Sequence, residues 1–198
     1  MHSPISSTLD TDLFFNYSTK LAATLTSTDW TPVAQLAREM MRCWQTGCQV
    51  FICGNGGSAG NAILLANDFL YGIAKKTGRG MRISALSANA AVITCLANDV
   101  GYHAIYSEQL AVLGNQGDLL IVLSGSGNSA NILEALKTAS DKGLRSCAIL
   151  GFAGGKAKEL ADIVLHFPVD DMQISEDLQL IAGHMVMQYL HRKNAKEL

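Results

Sequence analysis

Two short stretches of this chain place small, hydrogen-bonding residues where an anion can be held. Gln49-Val50-Phe51-Ile52-Cys53 is an apolar run that leads into Gly54-Asn55-Gly56-Gly57-Ser58. Asp118-Leu119-Leu120-Ile121-Val122-Leu123 leads in the same way into Ser124-Gly125-Ser126-Gly127-Asn128-Ser129. A strand, a Gly/Ser/Asn loop and then a helix leave unpaired backbone N–H groups at the helix N-terminus, which attract negative charge. Glycine lets the backbone approach a ligand closely, and serine hydroxyls add donors. The second loop carries Ser124, Ser126 and Ser129 and no basic residue, which suits a neutral cradle for a phosphate monoester. Two other readings compete. Residues 54–59 give one match to the dinucleotide pattern G-x-G-x-x-A, and both loops can be ordinary tight turns with serine caps. A P-loop is excluded, because no Gly-Lys-Ser/Thr follows either loop.

The elements that must position these loops read clearly. The 198 residues make about one domain, taken here as 1–198, able to bury roughly 70% of its unfolded surface. With 48% hydrophobic and 16% charged residues the chain is not disordered, and 15 Lys+Arg against 17 Asp+Glu give no general attraction to nucleic acid or to an acidic membrane. No apolar run is long enough to span a bilayer, the N-terminus lacks a signal-peptide pattern, and none of the five cysteines forms a CxxC pair. These features suit the cytoplasm. Cys53, Cys95 and Cys147 read as small core residues.

Residues 1–47 read as a helical pair. The first helix spans about Asp12 to Leu25, and the second is capped by Thr31, carries Pro32 in its first turn and ends at Gly47. From residue 48 on, strands at 49–53, 81–86, 118–123, 145–150 and 163–167 alternate with helices at about 59–70, 90–97, 106–114, 130–142, 156–160 and 174–192. Such alternation implies parallel pairing with right-handed crossovers. Runs such as LLIVL imply a sheet covered on both faces. The expected fold is a three-layer α/β/α sandwich on a five-stranded parallel sheet. Ligands in such sheets bind beyond the carboxyl ends of the strands, where both loops lie.

CGNGGSA at 53–59, AND at 97–99, LSGSGNSANILEAL at 123–136 and GGKAKELADIVLHFPVDDMQ at 154–173 resemble the sugar isomerase (SIS) domain family, in its phosphoheptose isomerase branch. The resemblance spans nearly the whole chain. It implies interconversion of sedoheptulose 7-phosphate and D-glycero-D-manno-heptose 7-phosphate in a homotetramer with active sites between subunits, the helical pair serving assembly. It implies that Ser124, Gly125, Ser126 and Ser129 hold the phosphate. The sugar would be met by Asn55, Gly56, Gly57, Ser58, Asn98, Asp99 and Glu176. In zinc-dependent relatives the helix after GNGGS carries His and Glu four residues apart, and the last helix carries Gln and His eight apart. Here those positions hold Leu64, Asp68, Glu176 and His184, and Gly72 stands where some relatives have arginine. The four-ligand zinc site is thus broken. Asp68, Glu176 and His184 are still enough for three ligands with open coordination, although the reaction requires no cofactor.

An aldose–ketose shift needs a base near the carbon-bound proton and an acid near the carbonyl oxygen. Asp68 and His184 are the expected pair. Asp68 is one methylene shorter than the glutamate of the relatives, and the imidazole of His184 can serve as acid or base. Asp177, seven residues before His184, shares its helix face and is a second candidate partner. Met185, Met187 and Tyr189 read as core or interface. His103, His166 and His191 have no partner visible in sequence. A non-catalytic module of the same fold, binding a phosphosugar or a replication initiator, is the alternative. The residues before Thr31 are too few and not basic enough for a DNA-binding segment.

Overall fold

The computed structural model describes residues 11–194. Five strands, β1 (Val50–Gly54), β2 (Ile83–Ala85), β3 (Leu119–Ser124), β4 (Arg145–Leu150) and β5 (Ile163–His166), form one sheet in the order β2-β1-β3-β4-β5, all parallel. β1 and β3 are neighbours in register, Gly54 opposite Leu123, so both loops leave the same edge side by side.

The alternation of side chains explains why the central strands are mostly apolar on both faces. Val50, Ile52, Leu119, Ile121, Leu123, Cys147, Ile149, Ile163 and Leu165 enter one core. It is closed by α2 (Thr31–Thr46), α3 (Gly57–Asn67) and α9 (Met172–Asn194). Phe51, Cys53, Leu120, Val122, Ala148 and Leu150 enter a second core. It is closed by α6 (Ser107–Leu113), α7 (Ala130–Asp141) and α8 (Ala157–Leu160). Burying a side chain such as Phe51 or Leu120 stabilises the fold by about 1.5–3 kcal/mol each. The expected three-layer architecture is the one observed.

Local differences have local causes. Thr31 does not cap α2: it is the first helical residue, and the Asp29 carboxylate accepts its N–H at 2.9 Å. Gly47 does end α2, in the left-handed conformation at φ 75°. The helix expected through residue 70 stops being α-helical at Asn67. Residues Asp68–Gly72 form a π-turn, closed by Ile73 N–H to Asp68 C=O at 2.8 Å. The carbonyl of Phe69 is taken by the N–H of Met81 at 3.0 Å, which ties this turn to the entry of β2. A short α4 (Ala74–Thr77) follows. Cys53 and Cys147 are buried as expected, whereas Cys95 lies exposed on α5 (Ala90–Asp99) and donates to Asp99. The first helix, α1 (Thr11–Ser27), has no buried residue. Tyr17, Leu21 and Leu25 pack against the core, and Leu13, Phe14 and Phe15 face outward.

Candidate active site

The two loops make one cavity of about 290 Å³ at the carboxyl edge of the sheet. Asn55, Gly56, Gly57 and Ser58 line it from the first loop, Ser124, Gly125, Ser126 and Ser129 from the second, and Met172 and Glu176 from the start of α9. α3 and α7 begin here, and their N-terminal dipole ends supply the positive potential that no side chain in the lining provides. The Ser124 and Ser126 hydroxyls accept the N–H groups of Gly127 at 3.0 Å and Asn128 at 3.3 Å, which folds the loop onto itself. Each hydroxyl keeps its own proton for a ligand. Ser129 precedes α7 but makes no side-chain cap, so its hydroxyl is also available. Ser58 is buried and accepts from Gln179 Nε2 at 3.0 Å; Gln179 Oε1 accepts from Asn61 at 3.0 Å. Gly127 needs to be glycine, at φ 66° and with the Gly154 carbonyl 2.0 Å from any added Cβ. Its close seat on the 151–156 loop fixes the shape of the serine turn.

Asp68 and His184 meet about two helical turns away. Gly183 helps them meet: an added Cβ there would lie 2.4 Å from Leu65 Cδ2, so a larger residue would have to displace that buried side chain where α9 crosses α3. One residue on, His184 Nε2 stands 3.3 Å from Asp68 Oδ2, while Asn67 Nδ2 donates to Asp68 Oδ1 at 3.3 Å. Both side chains remain open to solvent, the histidine the more so. Asp177 is not the partner of His184. It accepts the Tyr17 hydroxyl instead, and burial followed by that bond pushes the phenol of Tyr17 up to about 12.

Asn98 and Asp99 do not line the cavity. They lie exposed at the end of α5, where Asn98 Nδ2 donates to Asp99 Oδ1 at 2.7 Å; this bond and then that of Cys95 hold Asp99 below the usual carboxylate range. Their segment reaches the site through Tyr102, on a 3₁₀ turn at Tyr102–Ala104, whose hydroxyl donates to Asn55 Oδ1 at 3.1 Å. Asn131, at the start of α7, holds the same Asn55. Sequence reading passed over Tyr102, Asn131 and Gln179. For Asn131 and Gln179 the signal was a polar residue at a position the helix pattern marks as buried; exposed Tyr102 gave none.

The chain's residues do not fit the zinc ion of the relatives. Leu64 replaces a ligand with an exposed hydrocarbon. The Glu176 carboxylate instead fills the space beside Gly57 in the loop cavity. Asp68, Glu176 and His184 are therefore not gathered around one point, and no group of three metal-ligating side chains occurs among the described residues. Gly72, at the arginine position, faces the Met187 methyl.

A family model for the SIS domain matches residues 13–151. The phosphoheptose isomerase of Akkermansia muciniphila is 35% identical over 161 residues, covering 81% of this chain and 85% of that protein. The solved phosphoheptose isomerase of Francisella tularensis superposes with TM-score 0.87 at 28% identity, over 95% of this chain and 100% of that one. That of Neisseria gonorrhoeae gives 0.80 at 28% identity, over 91% and 97%.

Proposed function

This chain belongs to the SIS-domain family, as a phosphosugar isomerase of its phosphoheptose isomerase branch, and from that premise we propose that it interconverts sedoheptulose 7-phosphate and D-glycero-D-manno-heptose 7-phosphate. The phosphate sits in the serine turn, held by the hydroxyls of Ser124, Ser126 and Ser129 and by N–H groups at the start of α7. The Asp68 carboxylate takes the proton from the carbon next to the carbonyl. His184 gives a proton to the carbonyl oxygen as negative charge develops there, which leaves an enediol. Return of the Asp68 proton to the neighbouring carbon, with His184 recovering a proton from the other hydroxyl, completes the isomerisation. No step is routed through a metal.

The observation that carries this reading is the contact between Asp68 and His184, 116 residues apart in sequence and brought to 3.3 Å by the close crossing of α3 and α9. Incubation with sedoheptulose 7-phosphate in deuterated water tests it. Deuterium is expected at C2 of the aldose product, and Asp68→Asn or His184→Ala should slow its appearance ~10²–10⁴-fold. A wild-type protein that incorporates no deuterium ends the reading.

A further inference from the structure

Asn55 lines the cavity, and its amide is almost fully committed. Its Nδ2 donates to Asn131 Oδ1 at 2.9 Å, and its Oδ1 accepts from Asn131 Nδ2 at 2.7 Å and from the Tyr102 hydroxyl at 3.1 Å. A side-chain amide offers two N–H donors and an oxygen with two lone pairs. Both lone pairs are used here, and one N–H is left. Whatever ligand fills the cavity therefore meets Asn55 only as a donor.

We propose that Asn131 and Tyr102 are positioning residues that lock Asn55 as an N–H donor to the developing enediolate oxygen of the bound sugar. The assignment rests on the isomerase reading and gives that oxygen a fixed donor besides the proton of His184, since no cationic side chain lines the cavity. Asn131 suits the task because it is buried to 1% exposure at the first turn of α7. It joins the first loop to the helix that follows the second, so a phosphate seated in the serine turn finds Asn55 already aimed. Tyr102 closes the other lone pair from the segment after Asp99. Without it, Asn55 can offer its oxygen to a sugar hydroxyl and turn its N–H away. A donor fixed before the reaction stabilises developing charge without reorganisation in the transition state.

The test compares Tyr102→Phe, Asn131→Asp and wild type for two ligands. One is 6-phosphohexonohydroxamate, whose planar anionic head mimics the C1–C2 enediolate of a seven-carbon sugar phosphate. The other is inorganic phosphate. Both variants should bind the hydroxamate about 10-fold or more weakly and bind phosphate as wild type does, with kcat for deuterium exchange falling and KM little changed; full loss of an oxyanion donor costs ~10²–10³. Should the buried Asn131→Asp change unfold the chain, Tyr102→Phe at its exposed position decides alone. Unchanged hydroxamate affinity, or equal weakening of both ligands, overturns the proposal. An inactive wild type sinks the isomerase reading instead, and the two-ligand comparison still decides the role of Asn131 and Tyr102.

Discussion

Asp68 is one methylene shorter than the acid at the matching position of the relatives, and the backbone around it is unusual too. The π-turn begins at this residue, and the carboxylate reaches His184 at 3.3 Å. The shorter acid makes its contact in the site as it stands. Restoring the longer one should then harm it: Asp68→Glu carries the carboxylate over an ångström past its present contact. The exchange rate should fall about 10-fold or more, as misplacement on that scale does. A rate at or above wild type would mean that the short acid is a defect rather than a fitted part. At this scale the sequence was legible where chemistry and chain order coincide: Ser124, Ser126 and Ser129 share a loop, and that loop lines the cavity. It misled at Asp177. A seven-residue spacing shows that two residues share a face, but not which neighbouring helix covers each end, and α1 takes Asp177 through Tyr17.

The elements follow from simple patterns with two exceptions. Strands buried on both faces had to carry continuous apolar runs, and β3 (Leu119 to Leu123) and β4 (Cys147 to Leu150) do. The π-turn was invisible because 68–72 continues the helical spacing of α3. What widens the turn is a distant strand entry, Met81, that claims the Phe69 carbonyl. The start of α9 carries a testable consequence. Asp171 precedes it, accepts Ile174 N–H at 3.2 Å and pairs with Lys20 of α1 at 3.0 Å. The backbone bond first, and the bond from Lys20 next, hold its carboxyl below the usual range. A carboxyl depressed in the folded state contributes stability that is present above its unfolded pKa and lost as pH falls through the folded value. Asp171→Ala should therefore lower stability by about 1 kcal/mol at neutral pH, mostly as a lost cap. In thermal melts the gap from wild type should narrow as pH drops below the normal carboxylate range. A gap independent of pH would contradict this account of the helix start.

At the scale of the molecule, the serine turn and the Asp68–His184 pair do not share one cavity. Along α9 the gap is about 12 Å. Exposed Leu64, Tyr71, Met185 and Tyr189 lie on the segments that carry the pair, and Leu13, Phe14 and Phe15 stand out from α1. We propose that further copies of the chain cover this surface, in an assembly whose sites are completed across subunits. Co-expression of Ser126→Ala and His184→Ala chains, each inactive alone, should restore measurable exchange. No restoration, from a mixture shown to co-assemble, would place each complete site within one chain. Sequence alone does not distinguish a core-facing from a partner-facing apolar stripe on a helix, because both carry the same residue pattern.

The account stands or falls on where the phosphate goes. A crystal structure with sedoheptulose 7-phosphate should show the phosphate within hydrogen-bond distance of the Ser124, Ser126 and Ser129 hydroxyls, its charge facing the first N–H groups of α7. Density for the phosphate anywhere else on the protein would contradict it.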